Sequence, residues 1–137
     1  MGNRVVAASL VGVIASLLIL GLVSGPILWH VVLAVPAILA VAVVVGRPVW
    51  GRYAAMAIFI FWFASMGLVW LLVPKIAERL GGHLTPIELV LSIIIGGCCA
   101  VGAVAALRSK DTARSLTGIL VFAAAFLMQM VATWLSF

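Results

Sequence analysis

Five long apolar runs separated by short polar gaps take up nearly the whole chain, at residues 5–23, 27–46, 53–74, 87–107 and 115–136. Each approaches the roughly 20 residues that a helix needs to cross a hydrocarbon core of about 30 Å. Hydrocarbon offers the backbone no hydrogen-bond partner, so a spanning segment must pair its own N–H and C=O groups. None of the runs shows the apolar–polar alternation of a barrel strand. The expected fold is therefore all-α: one integral membrane bundle over residues 1–137, with short loops and no soluble domain. Of the 137 residues, 67% are hydrophobic and 8% charged, too few charges to cover a surface facing water.

The first boundary needs an argument of its own. Residues 5–45 are interrupted only by Ser24-Gly25-Pro26. As one straight helix they would run about 60 Å, twice the membrane's need, and the bundle would have four helices. Gly-Pro stops a helix and makes a tight turn, so a hairpin of two helices is expected here. A signal peptide is disfavoured because Pro26 would follow the cut. Acylation at Gly2 is disfavoured because Val6 stands where that motif wants Ser or Thr.

A net charge of +5 would suggest nucleic acid in a soluble protein. Here the basic residues occupy gaps between apolar runs and never interleave with aromatics along a strand-tracking surface, so no nucleic-acid partner is expected. They set topology instead. With the N-terminus in the cytoplasm, Arg4, Arg47, Arg52, Arg108, Lys110 and Arg114 lie inside, and only Lys75 and Arg79 lie outside. The C-terminus is then external. Trp29, Trp70 and Trp134 fall near the outer interface, and Trp50 and Tyr53 near the inner one, while Trp62 lies mid-helix. The turn Gly46-Arg47-Pro48-Val49-Trp50 resembles the basic turns of small bacterial membrane proteins, which implies a bacterial inner membrane.

An ionisable side chain near the membrane midplane is costly and generally functional. This chain has none there, which argues against a proton- or cation-coupled carrier and leaves no catalytic residue to nominate. Thr85-Pro86-Ile87-Glu88 has the spacing of a capping box, with Thr85 at the cap, Pro86 first in the helix and Glu88 third. His30 and His83, with Glu78 and Glu88 near in depth, are the weak candidates for a cofactor site. No HxxxH spacing links them, so neither a metal nor a haem is predicted; lipid or quinone are the ligands left to consider. Cys98 and Cys99 are adjacent, point about 100° apart on a helix and read as small packing residues.

Packing is where the pattern is richest. Ser92, Gly96 and Ala100 recur every fourth residue, as do Cys98, Gly102 and Ala106, and Ala8, Gly12 and Ser16 in the first helix. Small residues let helix backbones approach closely, and in lipid that close fit drives association. Gln129, the one embedded amide, shares a face with Gly118, Ala125, Ala132, Thr133 and Ser136, a face that should pack on protein. Pro36 should kink the second helix and free a carbonyl.

Such a chain acts through helix contacts. The expected role is an accessory, assembly or scaffold subunit, bound to other transmembrane subunits or to copies of itself among membrane lipids. A homo-oligomeric channel or carrier for an uncharged or lipophilic solute is the alternative. A redox or quinone-associated subunit is the third, and enzymatic activity is not expected. The topology is directly testable. In a background lacking Cys98 and Cys99, a cysteine at Ser109 should resist an impermeant thiol reagent in intact cells, and one at His83 should react. The opposite pattern would reverse the orientation.

Overall fold

The computed structural model describes residues 2–25, 27–80, 85–108 and 115–136, with the side chains of 73, 74, 76–80 and 115 excepted. The chain forms five helices: α1 (Gly2–Ser24), α2 (Ile27–Gly46), α3 (Pro48–Leu80), α4 (Pro86–Leu107) and α5 (Ser115–Leu135). All five contain a stretch long and apolar enough to cross a membrane, and no strand occurs among the described residues. The protein is an integral membrane helical bundle.

Ser24-Gly25-Pro26 separates α1 from α2. Gly25 ends α1 with φ of 93°, a left-handed conformation that strains any residue with a Cβ, and its N–H bonds the Gly21 carbonyl at 3.1 Å. The α2–α3 connection is tighter than the apolar pattern suggests. Helix α3 begins at Pro48 rather than Tyr53, leaving Arg47 alone between the helices. The Arg47 N–H bonds the Val43 carbonyl at 2.7 Å and closes α2, while its own carbonyl accepts from Gly51 N–H at 2.9 Å and opens α3. Pro48 is tolerated because the first helical position needs no N–H donor. Helix α3 also continues past Pro74 to Leu80.

Helices α1, α2, α3 and α4 form a closed ring in which each touches the next, and α1 also meets α3 across the middle. Helix α5 lies outside, in the groove between α2 and α3, and does not touch α4 among the described residues. The centre is filled by Val6, Leu10, Val13 and Leu17 of α1, Ile58 and Phe59 of α3, and Ile95 of α4.

Glycines stand at five of the close approaches. A methyl group on Gly21 would strike the His30 imidazole (α1–α2), and one on Gly51 would strike the Val44 backbone (α2–α3). On Gly102 it would overlap the Phe59 ring (α4–α3), on Gly12 the Cys98 sulfur (α1–α4), and on Gly118 the Tyr53 ring (α5–α3). The buried face of α4 is Leu91, Ile95, Cys99, Gly102 and Ala106. The expected stripe Ser92, Gly96, Ala100 lies about 100° further round. Ala100 is exposed, and a methyl on Gly96 meets nothing within 4 Å, so these two make no close approach inside the chain.

The two glycines therefore separate experimentally. Gly102→Leu has to displace the buried Phe59 ring and should lower unfolding stability by about 1–3 kcal/mol, the usual cost of overpacking. Gly96→Leu should leave it unchanged within about 0.5 kcal/mol. Denaturant titration in mixed micelles measures both, and equal losses would mean that α4 packs in another rotation.

Candidate functional site

Among the described residues Arg52, near one end of the bundle, is the one buried charged side chain; the other buried polar groups are the Gln129 amide, the Trp62 indole, the Cys99 thiol and hydroxyls. Pro36 is buried within α2 and has no N–H to give the Val32 carbonyl one turn back. Next to that break, Gln129 Nε2 of α5 donates to the Leu33 carbonyl at 3.3 Å. The bond ties α5 to α2, and Gln129 itself is fully buried. Gly118, Ala125 and Ala132 share its buried face. Thr133 turns back on its own helix, donating to the Gln129 carbonyl at 2.8 Å. Ser92 does the same toward Leu89.

Two polar atoms with no exposed surface of their own have no hydrogen-bond partner among the described residues, Gln129 Oε1 and Trp62 Nε1. One is an acceptor and the other a donor. Counted along their helices they lie at the same depth, roughly 21 Å from the starts of α5 and α3. Trp62, which fitted neither interfacial belt, thus belongs to the core. Its neighbour Phe61 makes edge contacts with Trp62 and with Phe126 of α5, each at 5.8 Å between ring centres. Phe122 stacks on Phe126 at 6.2 Å.

At the end of the bundle bearing the α1–α2 turn, Thr85 and Glu88 form the capping box. Thr85 Oγ1 accepts from the Glu88 N–H at 3.3 Å, and Glu88 Oε2 accepts from the Thr85 N–H at 2.9 Å. Glu88 has a further role that its spacing did not reveal. Its Oε1 accepts from the Ser24 hydroxyl at 3.0 Å, which fastens the α1–α2 turn to the start of α4. His30 packs its imidazole over Gly21. His83 lies outside the described residues, as do Gly81, Gly82, Lys110, Asp111 and Arg114, and the side chains of Glu78 and Arg79 are not described. Among the described residues no three His, Cys, Asp or Glu side chains group as metal ligands. Cys98 and Cys99 are free thiols, one toward Gly12 and the other in the core.

At the opposite end four arginines gather, Arg4, Arg47, Arg52 and Arg108, while Lys75 lies in the far part of α3. Arg47 lies over the Trp50 ring at 5.4 Å, a cation–π contact. Arg52 is 8% exposed and donates from Nε to Asn3 Oδ1 at 2.8 Å, so it locks α1 to α3.

A further exposed surface lies on α3 at residues 67–72. The 33 residues of α3 run about 50 Å, well beyond a core of about 30 Å. Gly67, Leu68, Val69, Trp70, Leu71 and Leu72 are exposed in succession, on every side of the helix. Comparison with known proteins returns no match: no family model, no curated protein and no solved structure is similar to this chain.

The capping box yields the local test. Thr85→Ala removes one helix-end acceptor and should cost about 1 kcal/mol. Glu88→Gln keeps an oxygen for the Thr85 N–H and should be nearly neutral. Unfolding measurements on both variants check this. Loss of activity in Glu88→Gln at unchanged stability would make the carboxylate a working group.

Proposed function

We propose that the protein is an accessory, assembly or scaffold subunit that holds other transmembrane chains through its helix faces. The observation that carries this reading is the far part of α3, where 67–72 are apolar and exposed all round. A helix that is apolar on every side suits an environment that covers every side; residues 67–72 end the apolar stretch Pro48–Leu72, about 37 Å long, and the helix runs on to Leu80, past a core of about 30 Å. A partner helix or a partner's outer domain supplies the missing cover. The outward pair Gly96 and Ala100 on α4 offers a second place for close helix approach. Following the basic bias, the protein lies in a bacterial inner membrane, with Arg4, Arg47, Arg52 and Arg108 at the cytoplasmic face and the exposed end of α3 outside.

One observation favours the alternative, a homo-oligomeric channel or carrier for an uncharged solute. Gln129 Oε1 and Trp62 Nε1 are a buried acceptor and donor at one depth. The centre of a single chain is nevertheless closed by Leu10, Leu17, Ile58, Phe59 and Ile95, so a path would have to run between copies.

Gentle purification followed by mass spectrometry separates the two. The protein should recover unlike membrane subunits, and Leu68→Asn with Leu71→Asn should release them while the bundle's own unfolding is unchanged. Recovery as a symmetric homo-oligomer, with solute uptake lost in Gln129→Leu, would overturn the subunit reading and establish the carrier.

A further inference from the structure

A groove of about 490 Å³ runs between α1 and α4 on the outside of the bundle. Its walls are almost wholly apolar, and it exists because the residues along it are small: Ala8 and Ser9 on one side, Gly97 and Cys98 on the other. A methyl on Gly97 would meet nothing within 4 Å, so the space beside it is open. Two polar groups break the apolar lining. Arg4 stands at the end of the groove, exposed, with no ion pair or hydrogen bond to any described residue. Ser9 lines the groove, is only 7% exposed, and likewise makes no hydrogen bond among the described residues.

The groove lies within one leaflet. Its lining runs from Arg4 to Ser9 on α1 and from Gly97 to Val101 on α4, about 6–8 Å along the helices, and Gly97 at its inner end is about 15 Å from the end of α4 at Leu107, half of a bilayer core of about 30 Å. Arg4, near the start of α1, lies where the headgroups begin, and Gly2 beside it is packed on the Ala105 carbonyl near the end of α4. An apolar groove within one leaflet, with a cation at its headgroup end, matches the upper part of an acyl chain joined to a phosphate.

We propose that this groove is a binding site for a single anionic phospholipid of the leaflet on the N-terminal side. One acyl chain lies along Ala8, Gly97 and Val101, its ester or headgroup oxygens meet Ser9, and its phosphate pairs with Arg4. Charge decides between this occupant and a second copy of the chain. The end of the bundle that holds the groove carries Arg4, Arg47, Arg52 and Arg108, with no acidic residue among the described ones. A second copy lying parallel would bring the same cations against Arg4, whereas an anionic headgroup brings the opposite charge. Basic pockets between transmembrane helices hold anionic headgroups by this means.

The test uses the full chain, delipidated in detergent, with dioleoyl phosphatidylglycerol or dioleoyl phosphatidylcholine added back and bound lipid counted by native mass spectrometry. The wild type should retain one phosphatidylglycerol per chain in at least tenfold preference to phosphatidylcholine. Arg4→Gln should abolish the preference, and Arg47→Gln, at the same end but over Trp50, should preserve it. Gly97→Leu fills the groove and should lose both lipids; Val101→Trp on the exposed rim gives the same reading if the leucine variant does not fold. Equal effects of Arg4→Gln and Arg47→Gln would reduce the site to diffuse surface charge and overturn the proposal. So would unchanged lipid retention in both groove-filling variants, or a wild-type dimer that either of them dissociates.

Discussion

The fold depends on side chains of one helix entering the space left by glycines of another. In lipid no hydrophobic effect presses helices together, because the tails are as apolar as the side chains, so contact has to come from fit. Each neighbouring pair around the ring has such a fit: Gly21 under His30, Gly51 against Val44, Gly102 under Phe59 and Gly12 against Cys98. Gly118 under Tyr53 adds α5 by the same device. Phe59 is the central case, a large ring with no exposed surface that fills the middle of the bundle because α4 offers no side chain opposite it.

Polar contacts are few and stand where packing alone leaves the helices free to slide. Gln129 fixes α5 to α2 beside the Pro36 break, in the stretch where the α2 backbone is short of a donor. At one end Glu88 joins the α1–α2 turn to α4 through Ser24, and at the other Arg52 joins α3 to α1 through Asn3. Each links elements distant in sequence, and each lies near a helix end, apart from Gln129. Register along the membrane normal is thereby held at both faces and at one interior point.

The same economy leaves much of the molecule open. Outside the ring, α4 presents Gly96, Gly97 and Ala100, and α3 extends beyond the other helices with apolar residues on every side. These surfaces differ in what suits them. The α1–α4 groove lies within one leaflet and ends at a cation, which suits the anionic lipid proposed for it. Residues 67–72 of α3 carry no charge and are exposed, and the helix continues past them to Leu80, which suits a protein partner on the proposed subunit reading. On the subunit role proposed above, lipid would seal one side and a partner would cover the other.

The sequence by itself determined the five membrane helices, because a run of about 20 apolar residues has no other way to pair its backbone in lipid. It also determined the Thr85–Glu88 cap and the break at Gly25, since capping and turn chemistry are local and act within four residues. Glycine spacing pointed to close packing, yet which glycines are buried was decided only by tertiary structure. Ser92, Gly96 and Ala100 repeat as regularly as Cys98, Gly102 and Ala106, and a one-residue rotation, about 100°, exchanges the faces. That rotation is set by Phe59 on another helix. The second role of Glu88, the burial of Arg52 and the placement of Trp62 in the core were equally illegible in one dimension. Each depends on a partner 49 or more residues away or on a cavity that several helices share.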